Sequence, residues 1–450
     1  MKNLKLLLIL PNLENSNILI CKSNKIFTYS DLVEENVGFD NPQSYNDYFK
    51  EMTNISVYRK YSFNTTNYAV FVFELAEKNF FTPNDDFEWV TYDDFLSNCA
   101  DEELMNIIRS IDKNYNHSTN MSWLTSKGFS AYFSWLKDYL DKNNLIITGE
   151  IKQLKNAYVS TVFALPTNIG KLYMKIPGKI FINELNFTNA LGETGLIKLP
   201  NFIAFDKELN IILMTDMQGY DLSDKSEPNI YRDVIMDYAK IQKASIRYLP
   251  LKHKHYDSTI LTTIKKLDGF SHKVSKVLQD SKYELSREES EQLSKNIEIV
   301  KPLLEQINKI AIPNTLHHGD LRPGNIRVID NAYMFYDWAW SGVSHPFLEI
   351  ASFLHIVRRE LNESEKEIII NQYLIEWLDY GTYEELKEVW GVIASLKNLF
   401  FAIIDYDWIE SIIYESEHLD LLSSDWWLLE KRRFYLSNVI KRFIHQNFDI

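Results

Sequence analysis

Apolar and polar residues alternate with a period of two through much of the first hundred positions. Leu4–Leu10, Ile18–Cys21, Val57–Phe63 and Tyr68–Leu75 therefore predict strands, and Phe87–Phe95 predicts a strand running into a short acidic helix. The polar run Asp112–Asn120 has few groups that could build a core and reads as a linker. After it the period changes: Phe129, Tyr132, Phe133, Trp135, Leu136 and Leu140 recur at steps of three and four, as on a helix face. Tyr158–Leu165 and Lys171–Ile176 predict a hairpin around Thr167–Gly170, with Gly170 supplying the turn. A helix is expected over Phe181–Leu191, then an apolar strand from Ile211 that runs into a turn at Gly219.

Beyond residue 220 the pattern is almost wholly helical. Apolar spacing predicts a helix between Arg232 and Ile246. Capping boxes at Ser286/Glu289, Ser364/Glu367 and Thr382/Glu385 mark helix starts, because each side chain satisfies the other residue's free N–H. Pro302 should kink or start a helix whose apolar face is Leu303, Leu304, Ile307 and Ile310. The expected organisation is α+β in four segments: a β-rich 1–105, a linker and packing helix over 106–145, a sheet-rich 146–219 and a helical 220–450.

Composition narrows the class. A chain of 450 residues suggests two or three domains, with apolar content to give each a core. A formal charge of −14 argues against a nucleic-acid partner, which would need a basic face. It is compatible with a cationic substrate, although most of those carboxylates are expected on the solvated surface. Cys21 and Cys99 are too few for a disulfide framework and have no neighbours at metal-ligand spacing. By the sequence no apolar run reaches the ~18 residues needed to span a membrane, and Leu4–Leu10 is cut short by Pro11, so it reads as a first strand rather than a signal peptide. The expectation is a cytoplasmic protein with no membrane partner.

The chemistry concentrates in His318-Gly319-Asp320-Leu321-Arg322-Pro323-Gly324-Asn325, followed twelve residues on by Asp337 at the end of a strand-like run. Moving a phosphoryl group requires a base beside the attacking hydroxyl and oxygen ligands for magnesium on the nucleotide phosphates. Asp320, Asn325 and Asp337 supply that set, on a loop that Pro323 and Gly324 keep out of helix. An isolated Asp-x4-Asn is more often a self-capping loop. The joint pattern with Asp337 is what points to phosphotransfer.

At these residues the chain resembles the aminoglycoside phosphotransferase and choline kinase family, whose motif is H-G-D-x-x-x-x-N followed by D-W, here His318, Gly319, Asp320, Asn325, Asp337 and Trp338. The resemblance implies a two-lobed protein-kinase-like fold with a β-rich first lobe and a helical second lobe. It implies a small-molecule kinase that uses ATP or GTP with Mg²⁺ to phosphorylate a hydroxyl of an aminoglycoside, amino-alcohol, sugar or antibiotic-like acceptor. Gly319 in place of the Arg of H-R-D, and Trp338 after Asp337 in place of the Phe of D-F-G, disfavour a protein kinase. A non-catalytic nucleotide-binding regulator is disfavoured by the retained Asp320.

The same resemblance distributes roles. Asp320 is the base, and Arg322 stands where a transferring phosphate could be gripped, although an exposed loop arginine is nearly as common. Asn325 and Asp337 hold the metal. His318 and Glu349, in Ser344-His345-Pro346-Phe347-Leu348-Glu349, are structural. Lys175 would grip phosphates, partnered by Glu184 or by Glu193. The phosphate-covering turn would be Lys155–Tyr158, with Ser160 beside it able to donate a hydrogen bond, in a stretch from Ile151 to Leu165 that has no glycine. Met214, Thr215 and Met217 are expected around the nucleotide's adenine, and Asp405, Asp407 and Trp408 at the acceptor. Residues 1–105 resemble a small α/β Nudix domain whose metal-binding helix is degenerate, since Tyr45–Thr53 lacks the required R-E-x-x-E-E run.

Overall fold

The computed structural model describes residues 5–12, 17–21, 28–29, 42–64, 68–76, 86–114, 123, 126–157, 159–178, 183–195, 197–224, 227–248, 256–330, 332–418 and 423–446. It divides into two compact units. One comprises Met1–Ile182, Asn201–Asp216 and Glu415–Leu428; the other comprises Asn183–Pro200, Met217–Tyr414 and Leu429–Ile450.

The first unit opens with β1 (Lys5–Ile9), β2 (Pro11–Asn12), β3 (Asn17–Cys21), β4 (Thr28–Tyr29), α1 (Pro42–Thr53), β5 (Val57–Asn64), β6 (Tyr68–Leu75), β7 (Phe87–Thr91), α2 (Tyr92–Asn98), α3 (Glu102–Asn114) and α4 (Ser126–Lys142). These strands make a sheet in the order β4-β1-β6-β5, with β1 and β6 parallel, and a second sheet β2-β3-β7. The run Tyr-Ala-Val-Phe-Val-Phe in β6 is apolar on both faces because both faces are covered. Phe71 and Phe73 pack on Tyr45 and Phe49 of α1, with ring centroids 4.4 and 5.0 Å apart. Val70 and Val72 join a larger core with Ile107 and Ile108 of α3, Phe129 and Leu136 of α4, and Phe163 and Leu165.

Phe163 and Leu165 belong to a second, antiparallel sheet in the same unit, ordered β11-β12-β10-β9-β8, from β8 (Lys152–Ala157), β9 (Ser160–Thr167), β10 (Gly170–Pro177), β11 (Phe202–Asp206) and β12 (Ile211–Thr215). The expected β9/β10 hairpin forms, with Gly170 at φ +111° and the Thr167 hydroxyl donating to its carbonyl at 2.6 Å. The 1–105 segment and this sheet thus share one continuous core. Lys155–Ala157 of the expected phosphate-covering turn are strand, the end of β8 paired with β9, so the turn begins later than the sequence suggested; its Tyr158 lies outside the described residues, as does Phe181 of the expected helix start.

The second unit holds α5 (Asn183–Thr194), β13 (Tyr220–Asp221), α6 (Pro228–Ser245), β14 (Tyr256–Ser258), α7 (Ile260–Lys266), α8 (Phe270–Leu278), α9 (Arg287–Ile307), β15 (Thr315–His317), β16 (Ile326–Ile329), β17 (Ala332–Phe335), β18 (Gly342–Ser344), α10 (Pro346–Ile356), α11 (Glu363–Ile375) and most of α12 (Tyr383–His418) and α13 (Ser423–Ile444). The strand-like run before Asp337 forms as β17, but the helical expectation missed the other strands of two small sheets, β13-β16-β17 and β14-β18-β15. Their strands are too short for alternation to register. Ser286 and Glu289 cap α9 reciprocally, and Pro302 lies inside that helix without ending it. The α11 start differs from expectation: Asn362 and Glu365, not Ser364 and Glu367, form the capping box.

One segment of α12, Tyr383–Ser411, is apolar and long enough to cross a membrane, which corrects the expectation that no such run exists. Within the protein 56% of its most apolar window is buried, and Leu386, Val389, Ile393, Leu396, Phe400 and Ile403 repeat at three and four. That is the spacing of a core helix.

Candidate active site

The loop from His318 to Asn325 leaves β15, which pairs with β18. Gly319 follows at φ +81°, where a β-carbon would lie 2.2 Å from the Trp340 carbonyl oxygen and 2.8 Å from its carbon. Only glycine fits there, which gives a steric reason for H-G-D. His318 is fully buried. Its Nδ1 accepts from the Asp320 N–H at 3.3 Å, so the Nε2 proton points at the Tyr336 carbonyl 3.0 Å away. Burial holds the ring's pKa below its ordinary value, so it stays neutral, and it packs on Trp338 at 4.4 Å. A neutral imidazole bonded at both nitrogens is a strut between the 318–325 loop and the Tyr336–Trp338 segment rather than a proton carrier.

Asp320 and Asn325 meet directly. The Asn325 amide nitrogen donates to the Asp320 carboxylate at 2.9 Å and to its carbonyl at 2.8 Å, while the Arg322 Nε lies 3.2 Å from the same carboxylate. Burial raises the Asp320 pKa, with the Arg322 guanidinium opposing it. The Asn325 backbone carbonyl accepts from the Tyr336 N–H at 3.1 Å, which brings in Asp337, set at φ +64° at the head of the 338–340 turn. With its nitrogen bonded to Asp320, Asn325 keeps Oδ1 as its side-chain acceptor. An amide oxygen and the Asp337 carboxylate are hard donors of the kind Mg²⁺ takes, so the residues fit that ion.

Glu349, 2% exposed on α10, anchors the loop from beneath. Its Oε2 lies 2.7 Å from His317 Nδ1 and accepts from the backbone N–H groups of His318 at 2.5 Å and Gly319 at 3.3 Å. Burial alone would raise its pKa, but His317 and these donors outweigh it and hold the carboxyl down to about 2. Sequence reasoning missed His317, although the His-His doublet was a visible signal. It also missed Tyr238, whose hydroxyl bonds the His318 N–H at 3.1 Å, and the Asp221–Arg327–Tyr336 group. In that group Arg327 pairs with Asp221 at 2.8 Å and donates to the Met217 carbonyl, and the Tyr336 hydroxyl reaches Asp221 at 3.0 Å.

The other expected residues fall as follows. Lys175 is half-buried on β10, Ser160 is buried at the start of β9, and Met214 and Thr215 end β12, all in the first unit. The N–H groups of Thr215 and Asp216 bond the carbonyls of Asn201 and Lys171 at 3.0 and 3.1 Å. Met217 and Glu184 belong to the second unit; Glu184 is 5% exposed in the first turn of α5, whereas Glu193 is exposed. Of the expected acceptor residues, Asp405 is bonded by Arg432 at 2.9 Å, Asp407 by Lys266 at 2.6 Å, and Trp408 is 2% exposed. Arg432 in turn lies over the rings of Trp340 and Trp408, at 5.0 and 4.7 Å. These carboxylates are neutralised by the chain's own cations.

Several solved structures are similar to the chain. A choline kinase from Cryptosporidium parvum Iowa II is 14% identical over 70% of this chain and 98% of its own, with a TM-score of 0.45. A choline/ethanolamine kinase family protein from Mesorhizobium loti is 15% identical over 67% and 90%, with a TM-score of 0.40. A macrolide 2'-phosphotransferase from Brachybacterium faecium is 11% identical over 67% and 97%, with a TM-score of 0.45. No curated protein matches the chain. Residues 150–389, more than half of the 450, match the APH family and include every residue of the loop built above, so the chain belongs to the phosphotransferase enzyme family.

Proposed function

We propose that this phosphotransferase is a small-molecule kinase that moves the γ-phosphoryl of ATP or GTP to a hydroxyl of an aminoglycoside, amino-alcohol, sugar or antibiotic-like metabolite. The observation that carries the reading is the hydrogen-bonded Asp320–Asn325 pair, linked through the Tyr336 N–H to Asp337. Asp320 orients the acceptor hydroxyl and takes its proton as the oxygen attacks phosphorus and the bond to the β,γ-bridging oxygen breaks. Burial, which raises its pKa, makes it a better base than a solvated aspartate. Asn325 and Asp337 would hold Mg²⁺, which when bound neutralises charge on the phosphates. Arg322, leaving Asp320, and Lys175 would bind the nucleotide phosphates, with Glu184 as the lysine's partner.

Residues 1–105 are read as a Nudix-like piece without hydrolase chemistry. The support is α1, which folds from the stretch Pro42–Thr53 and turns Tyr45 and Phe49 into the core instead of presenting a carboxylate run.

Incubating the full chain and Mg²⁺ with ATP or GTP, against a panel of such hydroxyl compounds, tests the proposal. A mass gain of about one phosphate on one acceptor class, dependent on nucleotide, is expected. Nucleotide binding without transfer to any panel member, or transfer only to protein side chains, would count against it.

A further inference from the structure

The residues that precede the family match lie against the strand that begins it. β8 is the edge of the five-stranded sheet, and an edge strand ordinarily presents unpaired N–H and C=O groups. Here side chains of β8 reach across to β5. The Gln153 carboxamide, fully buried, accepts from the Arg59 N–H at 2.9 Å and donates to the Arg59 carbonyl at 2.9 Å, so it mimics a strand-to-strand backbone pair. Its remaining capacity is taken by Asn46 of α1 at 3.1 Å and Thr161 at 3.4 Å, while the Gln153 N–H donates to Gln43 at 2.8 Å.

Three residues on, across a bulge, the contact repeats. Asn156 donates to the carbonyls of Arg59 at 2.5 Å and Lys60 at 2.8 Å, and the buried Arg59 guanidinium donates to the Asn156 carbonyl at 3.0 Å. Asn156 stands at the base of the β8–β9 turn. That turn lacks the glycines that let a backbone settle against phosphates, so its placement must come from what holds its base. Buried amides bonded to backbone groups on the facing strand hold such a base rigidly.

We propose that the segment before residue 150 is a fixed brace on the β8–β9 hairpin, and that Gln153 and Asn156 are positioning residues that aim this hairpin at the nucleotide phosphates. The proposal rests on reading the hairpin as the phosphate cover in the kinase described above.

Asn156→Ala and Gln153→Ala in the full chain test it, with Leu154→Ala as control, since Leu154 is 43% exposed on the same strand. Both brace variants should weaken Mg²⁺–nucleotide binding, read by titration of a fluorescent ATP analogue, by about tenfold. The acceptor KM and the turnover at saturating nucleotide should stay within about threefold. Amide hydrogen exchange in peptides covering 152–160 should rise in both variants and not in the control. If wild type binds nucleotide and the brace variants bind it as tightly, or if only the melting temperature moves, the brace is overturned and the kinase reading stands. If wild type binds no nucleotide, both fall. Should Gln153→Ala fail to fold, Asn156→Ala with its exchange profile still decides the matter.

Discussion

Replacing Glu349 with Gln keeps the shape of the loop anchor and removes its charge. In the native chain one carboxylate oxygen lies 2.7 Å from His317 and gathers the N–H groups of His318 and Gly319. Against an unfolded-state pKa of about 4.3, a folded value held down to about 2 corresponds to stabilisation on the order of 3 kcal/mol. A depressed carboxyl pKa stabilises the fold fully above the unfolded value, and this contribution drains away as pH falls toward the folded one. Urea unfolding followed by tryptophan fluorescence should therefore find Glu349→Gln about 3 kcal/mol less stable than wild type at pH 7. The gap should stay level down to about pH 5 and close between about pH 4 and pH 2. Turnover should fall as well, because the N–H groups that set His318 and Gly319 lose a charged acceptor. Glu349→Asp, which keeps a carboxylate on a shorter side chain, should recover part of both losses. A gap below about 1 kcal/mol at pH 7, or one that does not change between pH 5 and pH 2, would refute the reasoning.

Three other substitutions probe the loop itself. Gly319→Ala forces a left-handed alanine against the Trp340 carbonyl and should cost at least about 3 kcal/mol and all turnover; a variant that melts like wild type in circular dichroism and retains activity contradicts that. Asp320→Asn should cut turnover by about 10²- to 10⁴-fold while leaving Mg²⁺–nucleotide affinity within about threefold, as separate kinetic and binding measurements would reveal. Asp337→Ala should abolish the Mg²⁺-dependent part of nucleotide affinity in calorimetry with and without the ion, whereas Asp216→Ala should change it little. Equal binding by Asp337→Ala and wild type would move the metal elsewhere.

Local signals were legible in the sequence because their physics is local. The Gly170 hairpin, the Ser286/Glu289 cap and the Asp320–Asn325 loop each involve residues within a few positions of one another, and spacing alone describes them. The α11 start marks the limit. Asn362/Glu365 and Ser364/Glu367 are competing boxes two residues apart, and the choice goes with Leu361, which is 5% exposed just before the first.

What tertiary structure alone decided involves partners far apart in the chain. His317 and Glu349 meet over 32 positions, and Arg59 holds Gln153 and Asn156 over more than 90. Asp405 reads as an open carboxylate until Arg432, which lies over the rings of Trp340 and Trp408, is seen bonded to it. Gly319 can be recognised from the motif, but its necessity comes from the carbonyl of Trp340, which no pattern around Gly319 contains. Periodicity encodes which face of an element is apolar. It carries nothing about which other element covers that face, and the charges and steric walls of this site come from those covering elements.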